Sequence, residues 1–431
     1  MLRTIINSLT IASGAALGQL IGLLVLPILV RIYDPVTFGT FSILFTAVTV
    51  LSSVASTRYE QAIVLTRSNR AAAALTQLAF LVAFVVCLIA AILLAFASSR
   101  LDALFKIALG DKWLLVAALA FPVSVLATLT MVAVRYDCYG LISVSRTAKV
   151  CLSAAIQAVV GLSILSGVGG LIAGEFMGNA TTAAGCLVAL TRSHKRASRR
   201  FDWLWTKVLW REMLVVARKF AVFPKINTPH VLVNGLVGWV TVLVISMFFS
   251  AQELGFYYLM QRIALAPASF AGQAVSQVYY REGSTASRSE GNFYRPLLRV
   301  IMMQLAIGVP FALILFFFGS EIFSLAFGAE WRRAGRLAEI FAPYVALHLV
   351  LASLAPTTII AGRQMTMFIL SVIQSFIFVV GFFLGSIGGG DIDSGVRVAA
   401  LISALYLLGM IAWFVKLSYT SASFSNPLNL L

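Results

Sequence analysis

Charge is what this sequence has least of. Only 11% of its 431 residues are Asp, Glu, Lys or Arg, against roughly a quarter in soluble domains. No polar stretch is long enough to form a soluble domain, so an ordinary water-soluble fold is excluded. Acidic residues are the scarcer sign, 16 against 32 basic ones, and the formal net charge is +16. The basic residues are scattered between apolar runs rather than gathered on one polar domain, which argues against a nucleic-acid partner. Cysteine is rare as well. Cys87, Cys138, Cys151 and Cys186 lie in or beside apolar stretches without CxxC spacing, so neither a disulfide framework nor a metal site is expected. There is no HExxH, P-loop, glycine-rich nucleotide fingerprint or nucleophile triad. No catalytic residue is assigned and no cofactor is expected. With no ATP hydrolysis encoded, energy has to come from an ion gradient, the membrane potential or substrate supply.

Apolar residues are plentiful, 60% of the chain. Runs of about 20 of them read as membrane-spanning helices, because about 30 Å of hydrocarbon requires that length. Twelve such spans are predicted, near 9–31, 38–57, 72–97, 113–134, 147–166, 169–190, 226–249, 255–279, 296–319, 335–360, 364–386 and 395–416. The first is too long for a signal-peptide core and reads as an uncleaved span. The expected fold class is an all-α polytopic membrane protein. An even number of spans puts both termini on one side. Lys and Arg concentrate in the segments that face the cytoplasm if the N-terminus does, led by Arg192, Lys195, Arg196, Arg199 and Arg200. The positive-inside rule therefore places both ends in the cytoplasm.

The chain also carries a repeat. "FGTFSI" at 38–43 has a counterpart in "LGFYYL" at 254–259, with Gly39 and Gly255 216 positions apart. "LFKIALGDKW" at 104–113 matches "IFSLAFGAEW" at 322–331, both glycines and both tryptophans being 218 apart, and Gln157 and Gln374 are 217 apart. One common offset of half the chain implies two six-helix pseudo-repeats, a transporter signature that puts the substrate site between the halves. The expected organisation is an N-terminal lobe over 1–191, a basic cytoplasmic linker over 192–221, and a C-terminal lobe over 222–431. Trp203, Trp205 and Trp210 among the basic residues of the linker suit a helix lying in the membrane interface, read as a structural elbow or a regulatory site.

"LPILVRIYDPVTFGTFSIL", "STRYEQAIVL", "LVISMFFSAQELGFYYLMQRIALAPASFAGQAVSQVYYRE" and "LAFGAEWRRAGRLAEIFAPY" resemble the Wzx-type polysaccharide (O-antigen) flippases, which are lipopolysaccharide biosynthesis proteins. These fall in the multidrug/oligosaccharidyl-lipid/polysaccharide exporter superfamily. The resemblance covers nearly the whole chain. It implies translocation of an undecaprenyl-diphosphate-linked oligosaccharide across the bacterial cytoplasmic (inner) membrane, by two lobes rocking between inward- and outward-open states. The implied partners are that lipid-linked substrate, membrane lipids and polysaccharide polymerase machinery. Other readings are an ion-coupled small-molecule exporter of the same superfamily, a membrane-embedded polymerase or ligase, and a channel.

A lipid-linked diphosphate sugar needs a polar, preferably cationic path, since its head cannot cross hydrocarbon unaided. Arginine suits it, because its planar fork binds phosphate oxygens bidentately. Arg262, in "YYLMQRIALAPASF", is the basic residue expected well inside a span, and such residues are functional candidates. The related peptidoglycan lipid flippases carry a cavity-lining arginine in a similar pattern, but the repeat-related position of this chain, 216 residues earlier, is Thr46. Arg58 and Glu60, in "STRYEQAIVL", read either as an interfacial anchor or as a cytoplasmic gate for the sugar-diphosphate head. Lys225, Asn227, His230 and Asn234 lie along the start of the seventh span, the last three on one face by i, i+3, i+7 spacing. Polar glue between helices and cavity lining are both open for them. Glu175, in "LIAGEFMGNAT", is either a proton- or cation-coupling carboxylate or half of a structural ion pair. His348 reads as a packed histidine.

Overall fold

Asp34 and Pro35 start one helix and Ser68 starts another, each for a visible reason. The Asp34 carboxylate accepts from the Thr37 backbone N–H at 2.9 Å, and Pro35 fills the first helical position, where a missing N–H costs nothing. Ser68 accepts from the Ala71 N–H at 3.1 Å, so this helix begins three residues before the apolar run expected from 72. The computed structural model describes residues 2–66, 68–163, 167–196, 208–387 and 390–420.

In chain order the helices are α1 (Leu2–Ile32), α2 (Pro35–Ala55), α3 (Tyr59–Ala62), α4 (Asn69–Phe105), α5 (Leu114–Arg135), α6 (Tyr139–Leu162), α7 (Val168–Arg196) and α8 (Trp210–Lys219). They continue with α9 (Thr228–Phe248), α10 (Ala251–Ala264), α11 (Ala266–Glu290), α12 (Tyr294–Phe327), α13 (Arg332–Leu354), α14 (Thr357–Ile360), α15 (Gln364–Ser386) and α16 (Ile392–Thr420). There is no strand among the described residues. The chain is an all-α, multi-pass membrane protein, and every expected span has its helix.

Several boundaries differ from the sequence reading, two of them at prolines. The single eighth span expected over 255–279 is two helices, α10 and α11. Pro267, in the first turn of α11, has no N–H and its ring crowds the carbonyl four residues back, so α10 stops at Ala264. The tenth span stops at Leu354 rather than 360: Ala355 keeps helical backbone angles, but Pro356 has no N–H to continue the hydrogen-bond ladder. In the other direction, α4 and α12 run on to Phe105 and Phe327, taking in much of the segments expected as outer loops.

Among the described residues, eight helical stretches are long and apolar enough to cross a membrane by composition, and Leu17–Ile32 is a shorter apolar one. The long helices outside that set are α6, α7 and the α10–α11 pair. They carry Arg146 and Lys149, Glu175, and Arg262.

Contacts group the chain into two units, 1–254 and 255–431. In the first unit α4 packs on α5, α6 on α7, and α5 on both α2 and α7. In the second α12 packs on α13, α15 on α16, and α13 on both α11 and α16. These are the same pairings shifted by six spans. The repeated turn is matched in detail: Gly110 and Gly328 both have positive φ, 52° and 110°, and the following Trp113 and Trp331 are both buried. Helix α9 packs on α2 and α4, so it falls in the first unit by contact although the repeat begins with it.

Candidate functional site

After α2 the chain turns through two consecutive left-handed residues, Thr57 at φ 48° and Arg58 at φ 62°. Neither is glycine, and Thr57 is β-branched, so the turn stores backbone strain of a kind that clusters at functional sites. The turn aims Arg58 back toward Glu60. Their ion pair measures 3.5 Å, and the Ser56 hydroxyl donates to the other Glu60 oxygen at 2.5 Å. Glu60 is buried, only 4% exposed. A carboxylate there without partners would be strongly unfavourable. Arg58 Nε is itself buried without a hydrogen-bond partner.

The segment following this elbow is fastened from three sides. Arg135, at the end of α5, donates to the carbonyls of Ile63 at 3.0 Å and Thr66 at 2.5 Å, and to the Thr66 hydroxyl at 2.7 Å. The Tyr59 hydroxyl donates to the Ala217 carbonyl of α8 at 3.3 Å. Arg70, in the first turn of α4, pairs with Glu212 of α8 at 2.7 Å. Tyr59, Ile63 and Val216 share one buried apolar cluster with the inner face of α4. Helix α8 is thus docked on the elbow. Arg192, Lys195 and Arg196 close α7, whereas Arg199, Arg200, Trp203 and Trp205 lie outside the described residues.

The elbow also meets the start of the seventh span. α3 packs on a π-helical turn, Phe223–Asn227, that precedes α9. That turn carries Lys225, exposed, and Asn227, half-buried, and His230 follows as an exposed residue in the first turn of α9. Arg58, Glu60, Lys225 and Asn227 are therefore on adjoining elements of one end of the first unit. The Asn234 side chain lies outside what the structure describes.

Glu175 has a partner. Lys149, in the third turn of α6, reaches it at 3.6 Å, and Asn179 donates to the Glu175 carboxylate at 3.2 Å. The helices close tightly around this pair: a Cβ at Gly178 would collide with the Ser153 hydroxyl, and one at Gly174 with the Gln157 side chain. Gln157 itself donates to the Leu171 carbonyl at 3.0 Å. Lys149 is thus a second basic residue within the expected spans, in addition to Arg262. Arg262 is exposed in the last turn of α10, within the second unit, and no ion pair among the described residues engages it. His348 is packed face to face on Tyr344, with ring centres 5.3 Å apart.

Arg135 and Lys149 are the residues that sequence reading missed. Arg135 looks like an ordinary basic residue at the inner end of a span. Lys149 sits at the expected edge of span five, and only the start of α6 at Tyr139 carries it inward.

Solved structures with this fold are membrane transporters. A lipid II flippase, MurJ, in an inward closed conformation superposes with a TM-score of 0.69 at 14% identity, over 97% of this chain and 90% of that one. An inward-facing multidrug resistance MATE family transporter of the MOP superfamily gives 0.66 at 13% identity, over 97% and 96%. The Vibrio cholerae MATE transporter VcmN in its bent form gives 0.60 at 14% identity, over 98% of each chain. No curated relative matches the sequence. Over residues 28–335 the chain matches the model of the polysaccharide biosynthesis protein family, and it belongs to that family.

Proposed function

We propose that this protein is a flippase for an undecaprenyl-diphosphate-linked oligosaccharide, working in the bacterial cytoplasmic membrane with both termini in the cytoplasm. The observation that carries the reading is the joint one: membership of a polysaccharide biosynthesis family on a fold shared with a lipid II flippase. Two lobes, 1–191 and 222–431, alternate in opening to either side, and the basic linker 192–221 joins them. Transport, rather than bond-making chemistry, is the reading that the transporter fold favours.

In this reading the strained elbow is the cytoplasmic gate. Arg58 and Glu60 hold it, and Lys225, Asn227, His230 and Asn234 line the approach for the sugar-diphosphate head. Arg262 binds the diphosphate in transit. Its exposed and unpaired guanidinium supports this, since such a group inside a span is costly unless a ligand, an interface or a partner receives it. Glu175 couples the cycle to a proton or cation. Neutralising Glu175 would release Lys149 from its pair. Polysaccharide polymerase machinery would take the product on the outer side.

The test is complementation of a flippase-deficient strain, read as surface glycan per molecule of extracted protein. Arg262→Ala is expected to insert and accumulate normally yet fail to restore glycan, and Arg262→Lys to restore it partly, keeping charge without the bidentate fork. Full complementation by Arg262→Ala would sink the cavity role. A second reading, small-molecule export, is favoured by the fold likeness to MATE transporters. A flipping assay with a lipid-linked sugar in proteoliposomes separates the two.

A further inference from the structure

The second unit holds a cluster of arginines that the repeat does not require. Arg332, Arg333 and Arg336 open α13, on the side facing the end of α12. The glycine and tryptophan of the preceding turn have counterparts 218 positions earlier, and by the same offset these arginines fall on Leu114, Leu115 and Ala118. The first unit builds the same turn and the same helix start with apolar residues there. The arginines are therefore not what makes this fold, and three cations at the end of the chain's α12–α13 hairpin call for another explanation.

Their arrangement supplies one. They border an open cavity of about 560 Å³ between α12 and α13. Asp393, at the start of α16 and 7% exposed, takes both terminal nitrogens of Arg333, at 3.2 and 3.0 Å, and the Nε of Arg336 at 3.0 Å. With Nε held, the terminal fork of Arg336 is turned outward, and that side chain is 62% exposed. Arg332 is exposed too, and its pair with the exposed Glu321 at 3.2 Å is of the weak surface kind that a ligand can displace. The third carboxylate, Glu339, is occupied by the Ser320 backbone N–H at 2.7 Å. Two guanidinium groups are thereby left for a ligand, one of them oriented by a buried carboxylate. One turn back along α12, Phe316 and Phe317 line the same cavity as exposed aromatic rings.

We infer that this cavity binds the phosphate head of a membrane lipid. Paired planar forks fit phosphate oxygens, and the phenylalanines offer hydrocarbon contact directly beneath, so the ligand is an amphiphile with an anionic phosphate or diphosphate. The inference uses the proposed topology only to say which leaflet is involved: the outer one, opposite the linker. The lipid is either the prenyl-diphosphate carrier on its way out or a bilayer phospholipid, and both present the same chemistry.

The experiment measures binding to the purified full chain by native mass spectrometry, with undecaprenyl diphosphate and phosphatidylglycerol as separate probes and inorganic pyrophosphate as a tail-less control. The double variant Arg332→Gln/Arg336→Gln leaves the Arg333–Asp393 pair in place. It should weaken at least one lipid about tenfold or more, the scale of a lost charge-assisted hydrogen bond. Which lipid is lost identifies the source. Arg336→Lys should fall between wild type and the double variant. Phe317→Ala, which leaves every charge in place, should weaken lipid but not pyrophosphate. Unchanged binding of both lipids by the double variant would overturn the inference, as would wild-type protein that binds pyrophosphate but neither lipid. Phosphatidylglycerol binding involves no translocation, so it can survive failure of the flippase reading. Conversely, flipping that persists in a double variant with unaltered lipid binding defeats this inference alone.

Discussion

At the scale of residues, the chain's few charges do paired work inside it. Glu60 is almost sealed from solvent, and its partners are an arginine 3.5 Å away and a serine hydroxyl. Removing one member of a buried pair strands the other, which costs about 3–5 kcal/mol in buried cases. Arg58 keeps roughly a quarter of its side chain in contact with solvent, so the lower end applies. Arg58→Met alone should lower the thermal midpoint of extracted protein and its abundance. Adding Glu60→Gln should restore most of both, because the stranded charge is gone. If the elbow is a gate, transport per molecule stays low in that double variant, and recovered transport would leave the pair a purely structural role. For Glu175 the discriminating measurement is gradient dependence. Glu175→Gln should reduce transport and flatten its response to an imposed proton or sodium gradient at normal abundance. An unchanged response would leave only the pair with Lys149. These pairings were half legible: Arg58 and Glu60 stand two residues apart in sequence, whereas Lys149 meets Glu175 across 26 positions, a distance that no local pattern encodes.

At the scale of elements, what the sequence made legible was hydrophobic length, and what it hid was where helices touch. Apolar runs of about twenty residues marked where the long helices lie, because bilayer thickness sets a minimum length, although α6, α7 and the α10–α11 pair are less apolar than the rest. Prolines punctuated the chain, yet Pro122, Pro310 and Pro343 sit inside continuous helices while Pro267 ends one. The residue type alone does not say whether neighbouring groups re-satisfy the freed carbonyl. The glycines separate in the same way. Gly178 faces α6 so closely that a Cβ would strike the Ser153 hydroxyl and lie 2.9 Å from its backbone nitrogen, whereas a Cβ at Gly185, two turns along the same helix, meets nothing within 4 Å. Overpacking of a close contact costs about 1–3 kcal/mol. Gly178→Ala should therefore lower the thermal midpoint and yield of extracted protein, and Gly185→Ala should leave both unchanged or slightly raised, since alanine is the better helix former. Equal effects of the two substitutions would mean that the α6–α7 contact is not packed as described.

At the scale of the whole molecule, the repeat and the charge bias are separate arguments that meet on one arrangement of the chain. The repeat was legible because the turn before span four and the turn before span ten each need a glycine at positive φ and a tryptophan to plug the helix pair. Gly110 with Trp113 and Gly328 with Trp331 keep that spacing. The end of the first unit that holds the elbow was not legible, since it is assembled from five places: residues 56–70, the end of α5, α8, the π-helical turn and the start of α9. Those contacts impose a condition on topology. Everything docked on α8 has to lie on the linker's side of the membrane, so Arg58, Arg70 and Arg135 share whichever side Trp210–Lys219 occupies. In the proposed topology, which follows the basic bias, that side is the cytoplasm. A cysteine-reactive, membrane-impermeant reagent applied to intact cells should accordingly spare a single cysteine at Ser68 and one at Ser198, and should label one at Gly167, in the turn between α6 and α7, in a background lacking the native cysteines. Labelling at Ser198 with none at Gly167 would invert the orientation while keeping the twelve spans. Labelling that splits Ser68 from Ser198 would break the arrangement itself, because α8 cannot dock on the elbow from across the bilayer.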